Sequence, residues 1–347
     1  MSHNSRRAAV AVLAMFTLLA AGGAPVGAAS DEIFISGSST VEPITSLMAE
    51  LYAEQNPDAV IRVDGPGTGD GFKIFCTGET DASDASRPIK DEEVADCEAN
   101  GIEYTELPVA IDGLTVVVNK ASNIRCLNFN DLYAIFGPES SGGEIDLKDA
   151  SALANELGGS KAPTRGTLRK FTPGPESGTY DSFIEITYEK IMETRLEEAK
   201  LPSDKVGTND EGQQEVIEPL ISAGTFPNDN EIVKRVEGSK NAIGLFGFAY
   251  FQENRENLKA VAIENSETGK CVKPTVKTIQ TGAYPISRTL YIYPNNVKVA
   301  ENTALKAFMN FYMTKKNLTA GVKTAGYVSL SANQIRASID AWKGATR

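Results

Sequence analysis

Apolar residues fall in short blocks between turns rich in glycine and serine, and the spacing inside each block sets the element it predicts. Ile33 to Ile35 predicts a strand. Ile44, Leu47, Met48, Leu51 and Tyr52 then recur at i, i+3, i+4, i+7 and i+8, one helix face, ended by Asn56-Pro57. Val60 to Val63 predicts a second strand, followed by a short helix through Phe72 and Phe75 that ends near Gly78. Strand, helix, strand, helix predicts a parallel sheet, with loops at the carboxyl ends of the strands where α/β proteins bind ligands. Asp91 to Ala99 predicts an acidic, solvated helix. Ile102 to Leu107 and Leu114 to Val118 predict two strands, the second nearly continuous in apolar residues as a buried parallel strand should be.

Ile111 to Asn119 reads as a crossing into a second domain, and Leu290 to Tyr293 as the return. Between them the pattern predicts helices at Asn130 to Phe136, from Tyr180 through Ile191, at Glu215 to Ile221 and at Glu231 to Val236. Strands are expected within Asn241 to Tyr250 and at Leu258 to Ile263, and the helices Ala304 to Met313 and Ser331 to Trp342 pack back on the first domain. The expected fold is α/β: two lobes, each a mixed sheet flanked by helices, with two crossing strands as hinge and a cleft between. Lobe 1 takes residues 29–112 plus 286–347, and lobe 2 takes residues 113–285.

Composition changes this picture at both ends of the argument. Arg6 and Arg7, the apolar run Ala8 to Ala21 and the small residues Val26-Gly27-Ala28 read as an export signal over residues 1–28. No cysteine stands at that junction to carry a lipid, so a soluble periplasmic chain is expected. The formal charge of −12 becomes −14 once the two signal arginines are removed, which disfavours nucleic acid as a partner. His3, the sole histidine, leaves with the signal. The mature chain therefore has no imidazole for a Ser-His-Asp or Cys-His mechanism or for a His-containing zinc site, and neither a metal nor a cofactor is expected. Cys76, Cys97, Cys126 and Cys271 lack CxxC spacing and suggest two disulfides in an exported chain. Three connectivities are open; Cys76 with Cys97 and Cys126 with Cys271 is the favoured one.

The chemistry concentrates at three predicted helix starts. Asp64-Gly65-Pro66-Gly67-Thr68-Gly69-Asp70-Gly71 places four glycines where a Cβ would hold the backbone away from a ligand. Ser36-Gly37-Ser38-Ser39-Thr40 and Glu176-Ser177-Gly178-Thr179 repeat the construction with hydroxyls. Amides without intrahelical partners and the helix dipole favour an anion at each, and the three could share one small oxyanion. Considered singly, Ser39-Thr40 and Ser177 to Thr179 read as ordinary N-caps. Arg165, Arg169 and Lys170 read as a solvated basic face.

These segments, with Ala85-Ser86-Arg87-Pro88-Ile89, Asp112 to Asn119, Asn241 to Gly244 and Tyr284 to Arg288, resemble the periplasmic phosphate-binding proteins of the phosphate-specific ABC transporter, the PstS family. The resemblance runs through most of the mature chain. It implies a type II periplasmic-binding fold that closes on one dehydrated phosphate and passes it to ABC-transporter permease subunits, as a monomer and without catalysis. It places ligand hydroxyls on Ser39, Thr68, Ser177 and Thr179, with the amides of Thr40 and Gly178 as further donors.

Two positions depart from the family pattern. Many members carry aspartate where this chain has Ser86, and arginine where it has Pro173. Phosphate near neutral pH keeps a proton that sulfate lacks, so a carboxylate acceptor separates the two ions, and an arginine supplies a bidentate cation. Arg87 is then the expected cation, with Arg169 in reserve, and Asp70, Asp84, Asp112 and Asp181 are the candidate acceptors. Another oxyanion, sulfate or molybdate, is the first alternative. A secreted phosphatase or serine hydrolase using Ser39 or Ser177 is the second.

Overall fold

The structure is a computed structural model describing residues 32–140, 142–175, 177–209 and 212–346. The stretch read as an export signal, and Glu176 of the third helix start, lie outside the described residues.

The first lobe begins as the pattern requires: β1 (Ile33–Gly37), α1 (Glu42–Ala53), β2 (Ile61–Asp64), α2 (Thr68–Cys76), β3 (Ala82–Ala85) and α3 (Asp91–Ala99). β1 lies between β2 and β3 and is parallel to both. Next comes β4 (Leu107–Asn119), a single 13-residue strand; the strand expected over Ile102 to Leu107 is not formed, since that stretch is a loop up to Glu106 with one isolated bridge from Tyr104 to Asn295, while the piece expected at Leu114 to Val118 extends back to Leu107. The interruption at Asp112-Gly113 is polar only in composition, since Asp112 is buried within the strand.

Four later elements complete the frame: β5 (Thr167–Thr172), α4 (Gly178–Thr187), β6 (Ala242–Gly247) and β7 (Ser287–Pro294). One sheet of ten strands runs in the order Gly224–Thr225, β5, β6, β4, β7, β3, β1, β2, with Leu258–Ala260 on β4 and Glu144–Asp146 on β5. β4 changes partner midway: its residues up to Gly113 pair with β7, and from Leu114 with β6, antiparallel in both cases. The expectation that Leu114 to Val118 is a parallel strand is thus corrected. Its continuous apolar character follows from burial on both faces, which strand direction does not alter.

Other departures have local causes. The helix expected from Tyr180 through Ile191 is broken at Tyr188 (φ −147°), whose ring is buried 5.5 Å from Phe183 and 5.6 Å from Tyr133. Glu215 to Ile221 holds the strand Gln214–Val216 and a loop in place of a helix, because Pro219 excludes the helical region at Glu218. Lys170 is fully buried, with Nζ donating to Ile135 O at 2.9 Å and Ser140 Oγ at 2.6 Å, contrary to a solvated face. Both disulfides take the favoured pairing, Cys76–Cys97 and Cys126–Cys271. The first closes a small core behind α2 in which Phe72 meets Tyr293 edge-on at 5.0 Å.

Candidate functional site

Glycines let the first two helix starts lie side by side. A Cβ on Gly71 would meet Gly37 Cα at 2.4 Å, and one on Gly65 would meet Ser39 Cα at 2.9 Å. Gly67 takes φ +118°, and its N–H donates to Gly37 O at 2.8 Å, fixing the turn into α2. α2 starts from this glycine without a side-chain cap, so its opening amides keep their donor capacity. Thr68, its first residue, accepts from Ser86 N at 3.1 Å and stands 2.9 Å from Ser86 Oγ.

The third helix start comes from the other lobe. Ser177 caps α4 by accepting from Thr179 N at 3.2 Å. Gly178 packs so closely on the turn before α1 that a Cβ would meet Thr40 Cα at 3.2 Å and Ser39 O at 3.3 Å. Ser39 Oγ donates to Asp181 Oδ2 at 2.9 Å, and Thr40 Oγ1 lies 3.0 Å from Ser182 Oγ. Tyr327 OH donates to Thr40 O at 2.7 Å and holds the turn from behind. Ser39, Thr40 and Gly178 therefore meet where the two lobes touch, Thr68 and Ser86 stand together at the α2 start, and Ser177 and Thr179 flank Gly178 at the start of α4.

The cation that touches both lobes here is Arg288. It projects from β7 with Nη2 donating to Ser182 Oγ at 2.7 Å and to Thr40 Oγ1 at 3.2 Å, while Nη1 pairs with Glu185. Arg87 borders the same cleft but turns its guanidinium to Glu93, bidentate at 2.7 and 2.8 Å, near the N-terminus of α3. Arg169 is exposed and lies over the Phe171 ring at 5.5 Å. Ser182, Glu185 and Arg288 were not singled out from sequence. Asp181 and Glu185 share one face of α4 at i and i+4, the signal by which Glu185 could have been found.

The four candidate carboxylates part company. Asp70 is exposed and pairs with Lys73 at 2.9 Å. Asp84 points away from the cleft into the core, accepting from Thr45 Oγ1 at 3.0 Å, and burial pushes its carboxyl up to about 8. Asp112 stands behind Arg288, Oδ2 to Nε 4.0 Å, raised by burial and opposed by that cation. Asp181 alone is a half-buried carboxylate bonded to a hydroxyl of the opposite lobe, raised by burial and opposed by the Ser39 hydrogen bond. A cavity of about 370 Å³ opens beside these groups, bordered by Thr68, Ser86, Arg87, Glu185, Glu189 and Arg288. Hydroxyls, the cations Arg87, Lys90 and Arg288, and carboxylates around such a space suit a small, partly protonated oxyanion. Among the described residues no cluster of ligating side chains could hold a metal, and no helix is long and apolar enough to cross a membrane.

Comparison with known proteins bears on the fold and the family. A family model for the PBP superfamily domain matches residues 22–316. Protein SphX of Synechococcus elongatus is 35% identical over 337 residues, covering 96% of this chain and 88% of its own length. Phosphate-binding protein PstS of Staphylococcus saprophyticus is 34% identical over 310 residues, covering 89% and 83%. Among solved structures, a possible phosphate binding protein from Planctomyces limnophilus superposes with a TM-score of 0.74 at 31% identity, covering 91% of this chain and 99% of that one. An ABC-type phosphate transport receptor from Vibrio cholerae, 21% identical with a TM-score of 0.58 and covering 86% and 99%, shares the fold. The two-lobed architecture and this likeness along nearly the whole chain make it a member of the PstS family of periplasmic phosphate-binding proteins.

Proposed function

We propose that the chain is an extracytoplasmic receptor that binds inorganic phosphate between its lobes and delivers it to the permease subunits of an ABC importer. The observation that carries this reading is Arg288, bonded at once to Thr40 of one lobe and Ser182 of the other. An oxyanion on that guanidinium would draw further donors from Ser39, Thr68, Ser86, Ser177, Thr179 and the amides of Thr40 and Gly178. Asp181 is the acceptor for the proton that phosphate carries. Four or five bonds to a charged ligand, each contributing roughly 1.5–3 kcal/mol, suffice for micromolar binding at about −8 kcal/mol after the costs of association.

The lobes divide at 112/113 and 285/286, beside the point where β4 exchanges β7 for β6. Closure about these strands carries α4 onto α1. The protein acts as a monomer, and it binds its ligand without transforming it. Calorimetric titration tests the reading: phosphate should bind one to one, and equimolar sulfate should not displace it. A silent phosphate titration would remove the reading, and displacement by sulfate would transfer the site to another oxyanion.

A further inference from the structure

Glu185 stands one helical turn beyond Asp181 on α4, and its carboxylate touches two groups of the anion site. It forms an ion pair with Arg288 Nη1, and Ser86 Oγ approaches its Oε2 at 3.5 Å. Ser86 is itself 2.9 Å from Thr68 Oγ1, so the carboxylate ends a polar chain running from the α2 start through Ser86. A guanidinium donates to a carboxylate oxygen and to a phosphate oxygen alike, and here Nη1 donates to Glu185 Oε2. The Glu185 side chain is 40% exposed and borders the cleft cavity, so it has room to leave these contacts without disturbing the core.

We propose that Glu185 is an internal surrogate for the ligand: without phosphate its carboxylate engages Arg288 and Ser86 across the cleft and holds the lobes together, and an oxyanion must displace it to be seated. The proposal rests on the phosphate-receptor reading, because it takes Arg288 and Ser86 as ligand groups. Its consequence is thermodynamic. Every molecule closed on Glu185 is withdrawn from the population that can admit phosphate, so apparent affinity falls by that fraction. Removing the charge while keeping the shape should therefore open the ligand-free protein and tighten its binding. A residue that merely oriented Arg288 would give the opposite sign.

The test is Glu185→Gln in the signal-free protein, followed by two measurements. Small-angle scattering without phosphate should give a larger radius of gyration than wild type. Calorimetry with inorganic phosphate should give binding tighter by roughly threefold or more, the scale of a partly exposed ion pair. An unchanged radius, or phosphate affinity that is unchanged or weaker, overturns the proposal. The two readings fail separately. If wild type binds no phosphate the receptor function falls, while the ligand-free radii of wild type and variant still decide whether Glu185 holds the lobes closed.

Discussion

Arg288 and Asp112 are register partners on β7 and β4, and Arg288 Nε stands 4.0 Å from Asp112 Oδ2 with neither atom hydrogen-bonded among the described residues. The pair sits on the two strands that join the lobes. Asp112 compensates the guanidinium from behind, which leaves both Nη atoms to reach Thr40, Ser182 and Glu185 on the cleft side. A cation on the crossing strand is held by the frame and shared by both lobes.

Arg288→Ala should accordingly weaken phosphate binding by well over tenfold, since it removes a charge-assisted, two-pronged donor. Arg87→Ala should do much less, because that guanidinium already serves Glu93. Titration calorimetry on the two variants ranks them. The reverse order would return the central cation to Arg87.

Gly178 and Gly71 should fail in different ways. Alanine at 178 presses on Thr40 Cα and Ser39 O where the lobes meet, so closure is hindered and phosphate affinity should fall about tenfold, with little change in ligand-free stability. Alanine at 71 meets Gly37 Cα at 2.4 Å inside lobe 1. That overlap should cost about 1–3 kcal/mol of folding stability, measurable by urea unfolding.

Asp84 makes stability depend on pH. Its folded pKa is raised from 3.8 to about 8, so between those values the native state holds a proton that the unfolded state has released. Stability contributed by this group is complete at acid pH, declines as pH rises, and is lost once pH passes about 8. Asp84→Asn should flatten that decline, and urea midpoints between pH 5 and pH 9 would show it. Parallel slopes for wild type and variant would place the dependence elsewhere.

Much of this arrangement was legible in the chain. Helix starts at Thr68 and Ser177 could be read from the glycine and hydroxyl residues that precede amphipathic runs, and period-3.6 spacing marks α1 clearly, although α1 begins only at Glu42 and Ser39-Thr40 form the turn before it without capping it. The cation was harder. Arg87 neighbours the departing family position at Ser86, whereas Arg288 lies some two hundred residues further along and reaches Thr40 only because β7 and β3 are adjacent strands. Pairing of distant strands sets that contact, and local spacing carries no trace of it. Lys170 misleads for a similar reason: beside Arg169 it reads as surface, yet β5 has strands on both sides and its alternate positions turn inward.

The Cys126–Cys271 bond spans 145 residues and should contribute substantially to the stability of the second lobe. Replacing both cysteines by serine should cost about 2–5 kcal/mol, read from urea unfolding under non-reducing conditions. An unchanged midpoint would mean that the antiparallel pairing around Cys271 holds that region unaided.

The most direct measurement of the central claim is a crystal structure of the signal-free protein with inorganic phosphate. One phosphate should lie between the lobes, on Arg288 and on hydroxyls of the turn before α1 and of the start of α4, with Asp181 within hydrogen-bonding distance of a phosphate oxygen. Phosphate bound outside this cleft, or Arg288 still paired with Glu185 while phosphate sits on Arg87, would contradict the account.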